Sequence, residues 1–386
     1  MIEQFTAGMW PERVATVLAQ QGITEPTPIQ TKMIPEALDG QNILARSQTG
    51  TGKTLAYLMP ILAKINPNKS GIQSVILAPS QELAMQIADL TKALTEGTGI
   101  LSAPFIGGAN VNRQVEKLKK QKPHIAIGTP GRVLELVMMK KLKLSEVEVL
   151  AVDEVDRLVS EEKAWEAMLE LGKRTGRKAQ FFFVSATVPN GLEEQLGMFA
   201  PFLTRIEAEG GMLPEAVRHL VLWVEGRERM DVTRKLIHAE EIEKGIVFVN
   251  QLEKVTETVE KLNYRKIETA SLSSENNKHE REKALQAFRT GAVRILVATD
   301  VASRGLDIEG VTHIIQLDAP NVSDSYLHRA GRTGRMNKEG KVITLLEERE
   351  SYKKKKYETM LGIELENAYI QGGGLHLGLA KGRGKR

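Results

Sequence analysis

Eight consecutive residues near the start of the chain have the types and spacing needed to hold a triphosphate. They read Ser47-Gln-Thr-Gly-Thr-Gly-Lys-Thr54 and stand between a short apolar run and an apolar helical pattern over 55–65. Glycines let the backbone curl so that successive N–H groups point at phosphate oxygens, and the helix N-terminus adds its positive dipole end. Lys53 can reach the β- and γ-phosphates, and the Thr54 hydroxyl can ligate Mg²⁺. The predicted nucleotide-binding residues of this loop are Gln48, Thr49, Gly50, Thr51, Gly52, Lys53 and Thr54.

Two acids stand where phosphoryl transfer requires carboxylates. Asp153 and Glu154 follow the apolar run that starts after Glu148, and ligands of parallel α/β sheets bind outside the carboxyl ends of the strands. Asp153 is predicted to hold Mg²⁺ through water, and Glu154 to polarise the attacking water. Both motifs have plainer alternatives. The loop can be a glycine-rich turn with an incidental Lys-Thr pair, and Asp153 can be a helix N-cap followed by a first-turn acid.

The elements that must position these groups alternate between short β-branched runs and longer helical patterns, which is typical of parallel α/β architecture. Two sets of five runs predict two doubly wound domains in tandem, separated by Glu207-Ala-Glu-Gly-Gly-Met-Leu-Pro214. The predicted boundaries are 1–206 for an ATP-binding domain, 207–216 for a linker, 217–365 for a second domain and 366–386 for a disordered glycine-rich basic tail. The predicted strands are Asn42–Ala45, Ser74–Ala78, His124–Gly128, Val147–Val152, Gln180–Val184, Gly245–Val249, Ile267–Ser271, Val293–Ala298, His313–Leu317 and Lys341–Leu345.

Further motifs follow in a fixed order and carry a resemblance to a known family. They are Gly22-Ile-Thr-Glu-Pro-Thr-Pro-Ile-Gln30, Pro79-Ser-Gln-Glu-Leu-Ala84, Gly107-Gly108, Thr129-Pro-Gly-Arg132, Ser185-Ala-Thr187, Ala298–Ile308 and Tyr326–Arg335. With these motifs, roughly residues 5–346 resemble a DEAD-box ATP-dependent RNA helicase of superfamily 2, of a short bacterial type. The resemblance implies two tandem RecA-like domains, ATP and Mg²⁺ as cofactors, and RNA as single strand or short duplex.

The resemblance implies roles around the nucleotide. Gln30 offers a donor and an acceptor to the adenine edge, and Phe5 stacks on adenine, although a core or staple role fits Phe5 equally well. Asp307 contacts a ribose hydroxyl. Arg332 and Arg335 are implied arginine fingers that stabilise charge on the γ-phosphoryl group. The implied coupling residues are Ser185, Thr187, Asp156 and His328, where a helix N-cap alone would also explain Ser185 or Thr187.

The resemblance also implies RNA contacts, which suit phosphate and ribose and carry no base sequence. Any one of these loops alone fits an ordinary strand-to-helix turn. The implied RNA-binding residues are Pro79, Gln81, Gly107, Gly108, Thr129, Pro130 and Arg132 in the first domain, and Asn250 (a loose match), Thr299 and Gly305 in the second.

Several positions depart from the family pattern. Val155 replaces the alanine of the acidic tetrad, Gln81 an arginine, Ser273-Ser274 a His-Gly pair and Lys278 a glutamine, while Ile23 stands where an aromatic residue is usual. Because several of these changes fall at positions that the resemblance assigns to RNA binding or to coupling between the domains, we expect weak RNA affinity in the isolated core. An ATP-gated RNA clamp without unwinding stays an alternative, and a DNA helicase or another P-loop ATPase is a further one.

Composition bounds the remaining possibilities. The 386 residues include no cysteine, which excludes disulfide scaffolds and thiol nucleophiles and suits a reducing cytosol. Of 53 basic and 49 acidic residues, four basic ones and no acid fall in 372–386, so the rest of the chain is neutral. We expect a cytoplasmic monomer without a membrane segment, and a tail that tethers RNA unless it is merely a frayed terminus. Its partners are expected among ribosomal precursors or RNA-decay proteins.

Overall fold

The chain divides into two α/β units, Met1–Glu209 and Gly210–Arg386, in the computed structural model. The structure describes residues 12–20, 23, 25–47, 51–108, 110–176, 178–207, 213, 216–273, 275–303, 308, 310–334 and 338–379. The division falls within the linker predicted at 207–216. Within the described residues, no helix is both long and apolar enough to cross a bilayer.

A seven-stranded sheet in the order β3-β4-β2-β5-β6-β1-β7 forms the centre of the first unit, and its strand pairs are parallel. The strands are β1 (Asn42–Arg46), β2 (Ser74–Leu77), β3 (Ser102–Phe105), β4 (Ile125–Gly128), β5 (Val149–Val152), β6 (Gln180–Ser185) and β7 (Leu203–Glu207). The helices are α1 (Glu12–Gln20), α2 (Pro28–Leu38), α3 (Lys53–Lys64), α4 (Gln81–Thr95), α5 (Val111–Gln121), α6 (Pro130–Met138), α7 (Val155–Val159), α8 (Glu162–Arg174) and α9 (Leu192–Gly197).

An eight-stranded sheet in the order β10-β11-β9-β12-β13-β8-β14-β15 forms the second unit. Its strands are β8 (Val217–Trp223), β9 (Gly245–Phe248), β10 (Thr269–Leu272), β11 (Ile295–Ala298), β12 (His313–Gln316), β13 (Gly340–Leu346), β14 (Glu366–Gln371) and β15 (Gly374–Leu377). Its helices are α10 (Arg229–Ala239), α11 (Glu253–Tyr264), α12 (Lys278–Thr290), α13 (Asp300–Ser303), α14 (Ser323–Ala330) and α15 (Ser351–Leu361), with 3₁₀ turns at Gly226–Glu228 and Glu348–Glu350.

Burial on both faces explains why the central strands read as unbroken apolar runs. On β2, Ile76 packs into the core cluster on one face of the first sheet, whereas Val75 and Leu77 pack into the cluster on the other. Side chains alternate between the faces of a strand, so both faces of a sheet covered by helices demand apolar residues. The predicted fold class, two tandem doubly wound domains, is confirmed.

The ten predicted strands are present within two residues at each end, but β3, β7, β8, β14 and β15 were not predicted. Strand β3 contains Pro104, which normally argues against a strand because proline cannot donate to the ladder. The residue is tolerated because β3 lies at the edge of the sheet and pairs with β4 alone.

The predicted boundary at 365, with a disordered tail from 366, is wrong for residues 366–377. Strands β14 and β15 form an antiparallel hairpin, and β14 extends the second sheet beside β8. Gln371 pairs with Gly374, which leaves Gly372 and Gly373 as a two-residue turn with φ of +61° and +82°. Two left-handed residues in a tight hairpin turn favour glycine. The glycines interpreted as a sign of disorder therefore form the turn of a hairpin.

Candidate active site

Three neighbouring strands of the first sheet end in residues predicted to bind the nucleotide or to couple its hydrolysis to RNA. The phosphate loop follows β1, Asp153 follows β5, and Ser185 ends β6, and the sheet order places β5, β6 and β1 side by side. Because the strands are parallel, their carboxyl ends meet at one edge of the sheet. The backbone N–H of Ser47 donates to the Ser185 carbonyl at 3.0 Å, which joins two of the three segments directly.

The side chain of Lys53 reaches back to Ser47, the first residue of the phosphate loop. Lys53 begins α3 after Gly52, whose φ is +83°. Its Nζ donates to the Ser47 carbonyl at 2.7 Å, and the Ser47 and Thr51 hydroxyls are 2.7 Å apart. Burial lowers the pKa of Lys53, and nearby carboxylates, Asp153 first among them, oppose the shift. Gln48, Thr49 and Gly50 lie outside the described residues.

Both oxygens of Asp153 have a fixed donor. The Tyr57 hydroxyl donates to Oδ2 at 3.0 Å, and the backbone N–H of Glu154 donates to Oδ1 at 2.9 Å. Burial raises the pKa of Asp153 to about 6, the negative charge of Glu154 adds to the shift, and Lys53 opposes it. The Tyr57 hydroxyl contacts both Asp153 and Thr54, and a buried carboxylate and a hydroxyl are oxygen donors of the kind that Mg²⁺ prefers. The residues therefore fit a magnesium site.

Glu154 is buried, and one of its carboxylate oxygens is able to accept a hydrogen bond from water or substrate. Its backbone is left-handed, with φ of +48°, which is uncommon for a residue with a long side chain. Its Oε2 is buried and lies 3.2 Å from Arg157 Nη1, yet it has no hydrogen-bond partner within the described part of the chain. The charge of this oxygen is therefore paired with Arg157, while its lone pairs can still accept a hydrogen bond from a ligand or water.

Three of the four predicted coupling residues, Asp156, Ser185 and Thr187, form one hydrogen-bond network. The fourth, His328, belongs to the second unit. Asp156 Oδ2 accepts from both the backbone N–H and the hydroxyl of Thr187, each at 2.9 Å. The Asp156 N–H donates to Ser185 Oγ at 3.3 Å, and the Ser185 hydroxyl donates to the Thr187 carbonyl. Val155, which replaces the family alanine, is fully buried in a core cluster of the first unit. The loop after β6 is thus bonded to the turn that carries the two acids.

Gln30 makes contacts that its predicted role did not include. Its Oε1 accepts from the Thr27 N–H at 3.0 Å, and its Nε2 donates to the Gly52 carbonyl at 3.0 Å. The side chain thereby caps α2 and ties it to the phosphate loop. An amide retains one further N–H and one further lone pair, which leaves capacity for a purine edge. Phe5 lies outside the described residues.

The predicted RNA loops of the first unit follow β2, β3 and β4, which form the other half of the same sheet edge. Ser80 caps α4 by accepting from the Leu83 N–H at 3.1 Å, as an ordinary turn would. Gln81 reaches the neighbouring loop, since its Nε2 lies 3.3 Å from the position of a Cβ on Gly107. Arg132 Nε lies 2.8 Å from Glu135 Oε2. The loops are thus brought together, which the sequence order alone did not require.

The second unit contains a buried arginine to which the sequence analysis gave no role. Arg329 is 1% exposed, and its guanidinium donates to both oxygens of Asp300, to the Asp318 carbonyl and to Asn250 Oδ1. Asn250 Nδ2 also donates to the Ala319 carbonyl at 3.0 Å. Asn250 is therefore bound within the unit, and Arg329 joins the ends of β9, β11 and β12.

The other predicted residues of the second unit are described only in part. Thr299 is buried, and its hydroxyl accepts from the Ala302 N–H at 3.4 Å. Arg332 Nε donates to the His328 carbonyl at 3.1 Å. Gly305, Asp307 and Arg335 lie outside the described residues.

Comparison with known proteins agrees with this geometry. Residues 27–195 match the DEAD/DEAH box helicase family, and residues 228–337 match the helicase conserved C-terminal domain. The chain is 45% identical to DEAD-box ATP-dependent RNA helicase CshC of Bacillus cereus over 89% of this chain and 87% of that protein. It is 42% identical to Probable ATP-dependent RNA helicase YfmL of Bacillus subtilis over 92% and 93%. Its fold is similar to that of S. cerevisiae Dbp5 bound to RNA and ADP BeF3, with a TM-score of 0.84, 25% identity and 93% of both chains covered.

Proposed function

Because the chain belongs to the DEAD-box ATP-dependent RNA helicases, we propose that single-stranded RNA stimulates its ATP hydrolysis, and that hydrolysis drives local opening of short RNA duplexes. The observation that carries the proposal is the strand order of the first sheet. Strands β5, β6 and β1, which end in the candidate nucleotide-binding and coupling residues, lie directly beside β2, β4 and β3, which end in the candidate RNA loops. A shared edge supports coupling between the two ligands.

In this mechanism the first unit holds the triphosphate. Lys53 binds the β- and γ-phosphates, and the loop N–H groups surround them. Thr54 and Asp153 would hold Mg²⁺, which neutralises phosphate charge when bound. Glu154 polarises the attacking water and accepts its proton, a role supported by its buried Oε2, which accepts no hydrogen bond within the described residues.

The second unit contributes the groups that the first lacks. Arg332 and Arg335 stabilise the charge that develops on the γ-phosphoryl group, and Asp307 binds the ribose. ATP and RNA each favour the arrangement of the units that binds both ligands, so each strengthens binding of the other. RNA contacts go to the backbone, and the core therefore discriminates little between base sequences.

Phosphate release measured with and without single-stranded RNA tests the proposal, and an ATPase that no RNA stimulates would refute it. Two variants separate binding from chemistry. Lys53→Ala removes the cation that holds the phosphates, so we expect loss of ATP binding. Glu154→Gln keeps the shape of the side chain but removes the base, so ATP still binds and the RNA complex accumulates. Wild-type turnover in Glu154→Gln would contradict the assignment of the base.

An ATP-gated RNA clamp is the second candidate function, and Gln81 favours it. This residue stands where the family has an arginine, and its amide lies against Gly107. A neutral side chain gives weaker backbone grip than an arginine, which reduces the strain that binding can impose on a duplex. Strand displacement on a short duplex separates the candidates, because a clamp binds RNA with ATP yet releases no strand.

For the cellular role we propose RNA remodelling in the cytoplasm, during ribosomal subunit assembly or in RNA decay, by a monomer. The neutral core and its backbone contacts give no sequence selectivity, so the substrate is defined by what recruits the protein. Sequencing of RNA crosslinked to the protein in cells distinguishes ribosomal precursors from messenger RNA.

A further inference from the structure

Helix α5 of the first unit presents three cations along one side. They are Arg113, Lys117 and Lys120, whose spacing of four and then three residues places them on one face of a helix. The opposite side of α5 packs into the core through Val115 and Leu118. Arg113 and Lys120 are exposed, and Lys117 is half-buried. These three cations are called the basic face of α5 below.

The protein itself does not neutralise the basic face. None of its three cations forms an ion pair with another described residue, although Glu116 lies on the same helix. Helix α5 contains four cations and one acid in all. Helix α8 differs, because it contains three cations and three acids and its Arg174 is paired with Glu170 at 2.6 Å. The outer surface of α5 is therefore electropositive.

The stability of the helix does not explain why Arg113 is a cation. The N-terminal end of a helix carries a partial positive charge, so a cation in the first turn is unfavourable, and the first turn of α5 has no acid to offset it. Lys120 differs, because it lies in the last turn, where the helix dipole favours a cation. Arg113 and the dipole would both attract an anion from outside the helix.

The basic face begins beside a candidate RNA loop. Gln114 Nε2 donates to the Ile106 carbonyl at 2.9 Å, which joins the start of α5 to the residue that follows β3. Ile106 directly precedes the Gly107-Gly108 loop. Arg113 is the neighbour of Gln114, and Lys120 lies about 10 Å further along the helix axis. The basic face therefore leads away from this loop along α5.

We propose that the basic face of α5 binds phosphates of RNA that extends beyond the candidate RNA loops of the first unit. Lysine and arginine side chains attract the RNA backbone because binding releases the counterions condensed on it, and such contacts read no bases. The proposal rests on RNA being the substrate. It adds a surface for sequence-independent RNA binding that is separate from the residues around the nucleotide.

The test measures how RNA affinity depends on salt. The full chain without nucleotide is titrated into a fluorescein-labelled single strand of about 16 nucleotides, the upper range for one binding domain. The triple variant with Arg113→Gln, Lys117→Gln and Lys120→Gln should reduce the slope of log affinity against log salt by about 2, since each cation contributes about 0.7 on single strands. The ratio of wild-type to variant affinity should therefore shrink about 20-fold between about 50 and 200 mM salt.

Two control variants separate phosphate contact from net charge and from side-chain shape. The first combines Lys140→Gln, Lys141→Gln and Lys143→Gln, which removes three exposed cations that follow the end of α6, at the edge of the sheet where β5 begins. This control should keep the wild-type slope. The second combines Lys117→Arg and Lys120→Arg, which keeps every charge of the basic face, and it should also keep the wild-type slope.

A wild-type slope in the glutamine variant of the basic face overturns the proposal, and it is the result expected if an acidic protein binds this face. A decrease no greater than that of the first control overturns it equally, because net charge alone would then explain the loss. RNA stimulation of ATP hydrolysis distinguishes this failure from that of the proposed function. A wild-type chain that RNA stimulates, with an unchanged slope in the variant, refutes the role of the basic face alone, whereas a wild-type chain that no RNA stimulates refutes the proposed function.

Discussion

Asparagine at position 153 should stabilise the protein in the absence of ligands while abolishing ATP hydrolysis. Asp153 is buried, and its pKa is raised from 3.8 to about 6, chiefly by burial and next by the charge of Glu154. A carboxyl group whose pKa is raised on folding favours the folded state only while protonated. Its contribution is complete below pH ~4 and is lost as the pH rises through about 6, so the ionised group disfavours folding at neutral pH.

The magnitude follows from the size of that shift. A change of about 2 units at 1.36 kcal/mol per unit gives a penalty of about 3 kcal/mol above pH ~7. Asparagine resembles the protonated acid: its oxygen can accept from the Glu154 N–H, and its NH₂ can donate to the Tyr57 hydroxyl oxygen. Removing the carboxylate also removes an attraction that opposes the lowered pKa of Lys53. The value is therefore an upper bound, equivalent to roughly 6–12 °C for a unit of this size.

Scanning calorimetry of the full chain between pH 4 and pH 8, without nucleotide or Mg²⁺, measures the effect. We expect Asp153→Asn and wild type to melt together near pH 4 and to diverge steadily up to about pH 7, with the variant higher. Asp89→Asn, at an exposed position of α4, is the matched control, and its melting temperature should equal that of wild type at every pH. A melting temperature at pH 7.5 equal to or below that of wild type would show that Asp153 is stabilised as an anion, contrary to this reasoning.

Two further substitutions test the packing around the sites. Gly52→Ala places a Cβ 2.3 Å from Gln30 Nε2 at a residue whose φ is +83°, so ATP affinity measured by filter binding should fall at least about tenfold. Gly97→Ala is the control, because Gly97 has a similar φ of +78° but no atom within 4 Å of the added Cβ. This control incurs only a backbone strain of about 1 kcal/mol and should bind ATP like wild type. Arg329→Lys cannot reproduce the two hydrogen bonds to Asp300, so chemical denaturation should show that the free energy of unfolding of the second unit falls by about 2–4 kcal/mol. A decrease below about 1 kcal/mol would contradict the role of Arg329 in holding the ends of β9, β11 and β12 together.

The proximity of the acids to one another, and of Lys53 to Ser47, could be predicted because these residues are nearly contiguous in the sequence. Asp153, Glu154 and Asp156 share one turn, and Lys53 bonds to Ser47 within the same loop. Local spacing therefore carries most of that geometry. Which residues Asp156 would meet depended on the sheet order, and only the adjacency of β5 and β6 brings Thr187 to it.

Arg329 was not predictable in the same way. Its partners, Asn250, Asp300 and Asp318, follow three different strands and are separated from it by 79, 29 and 11 positions. Sequence spacing contains no sign that these groups converge, since convergence requires the parallel order of β11, β9 and β12. For Gln30 the motif predicted a contact with the adenine but not the contacts within the protein. Its side chain also bonds to the Thr27 N–H and the Gly52 carbonyl, and neither bond was predicted.

The hairpin shows that composition and pattern can give opposite answers for one segment. Six glycines in the last fifteen residues indicated disorder, yet a Gly-Gly pair between Ala-Tyr-Ile-Gln371 and Gly374-Leu-His-Leu is the pattern of a tight hairpin.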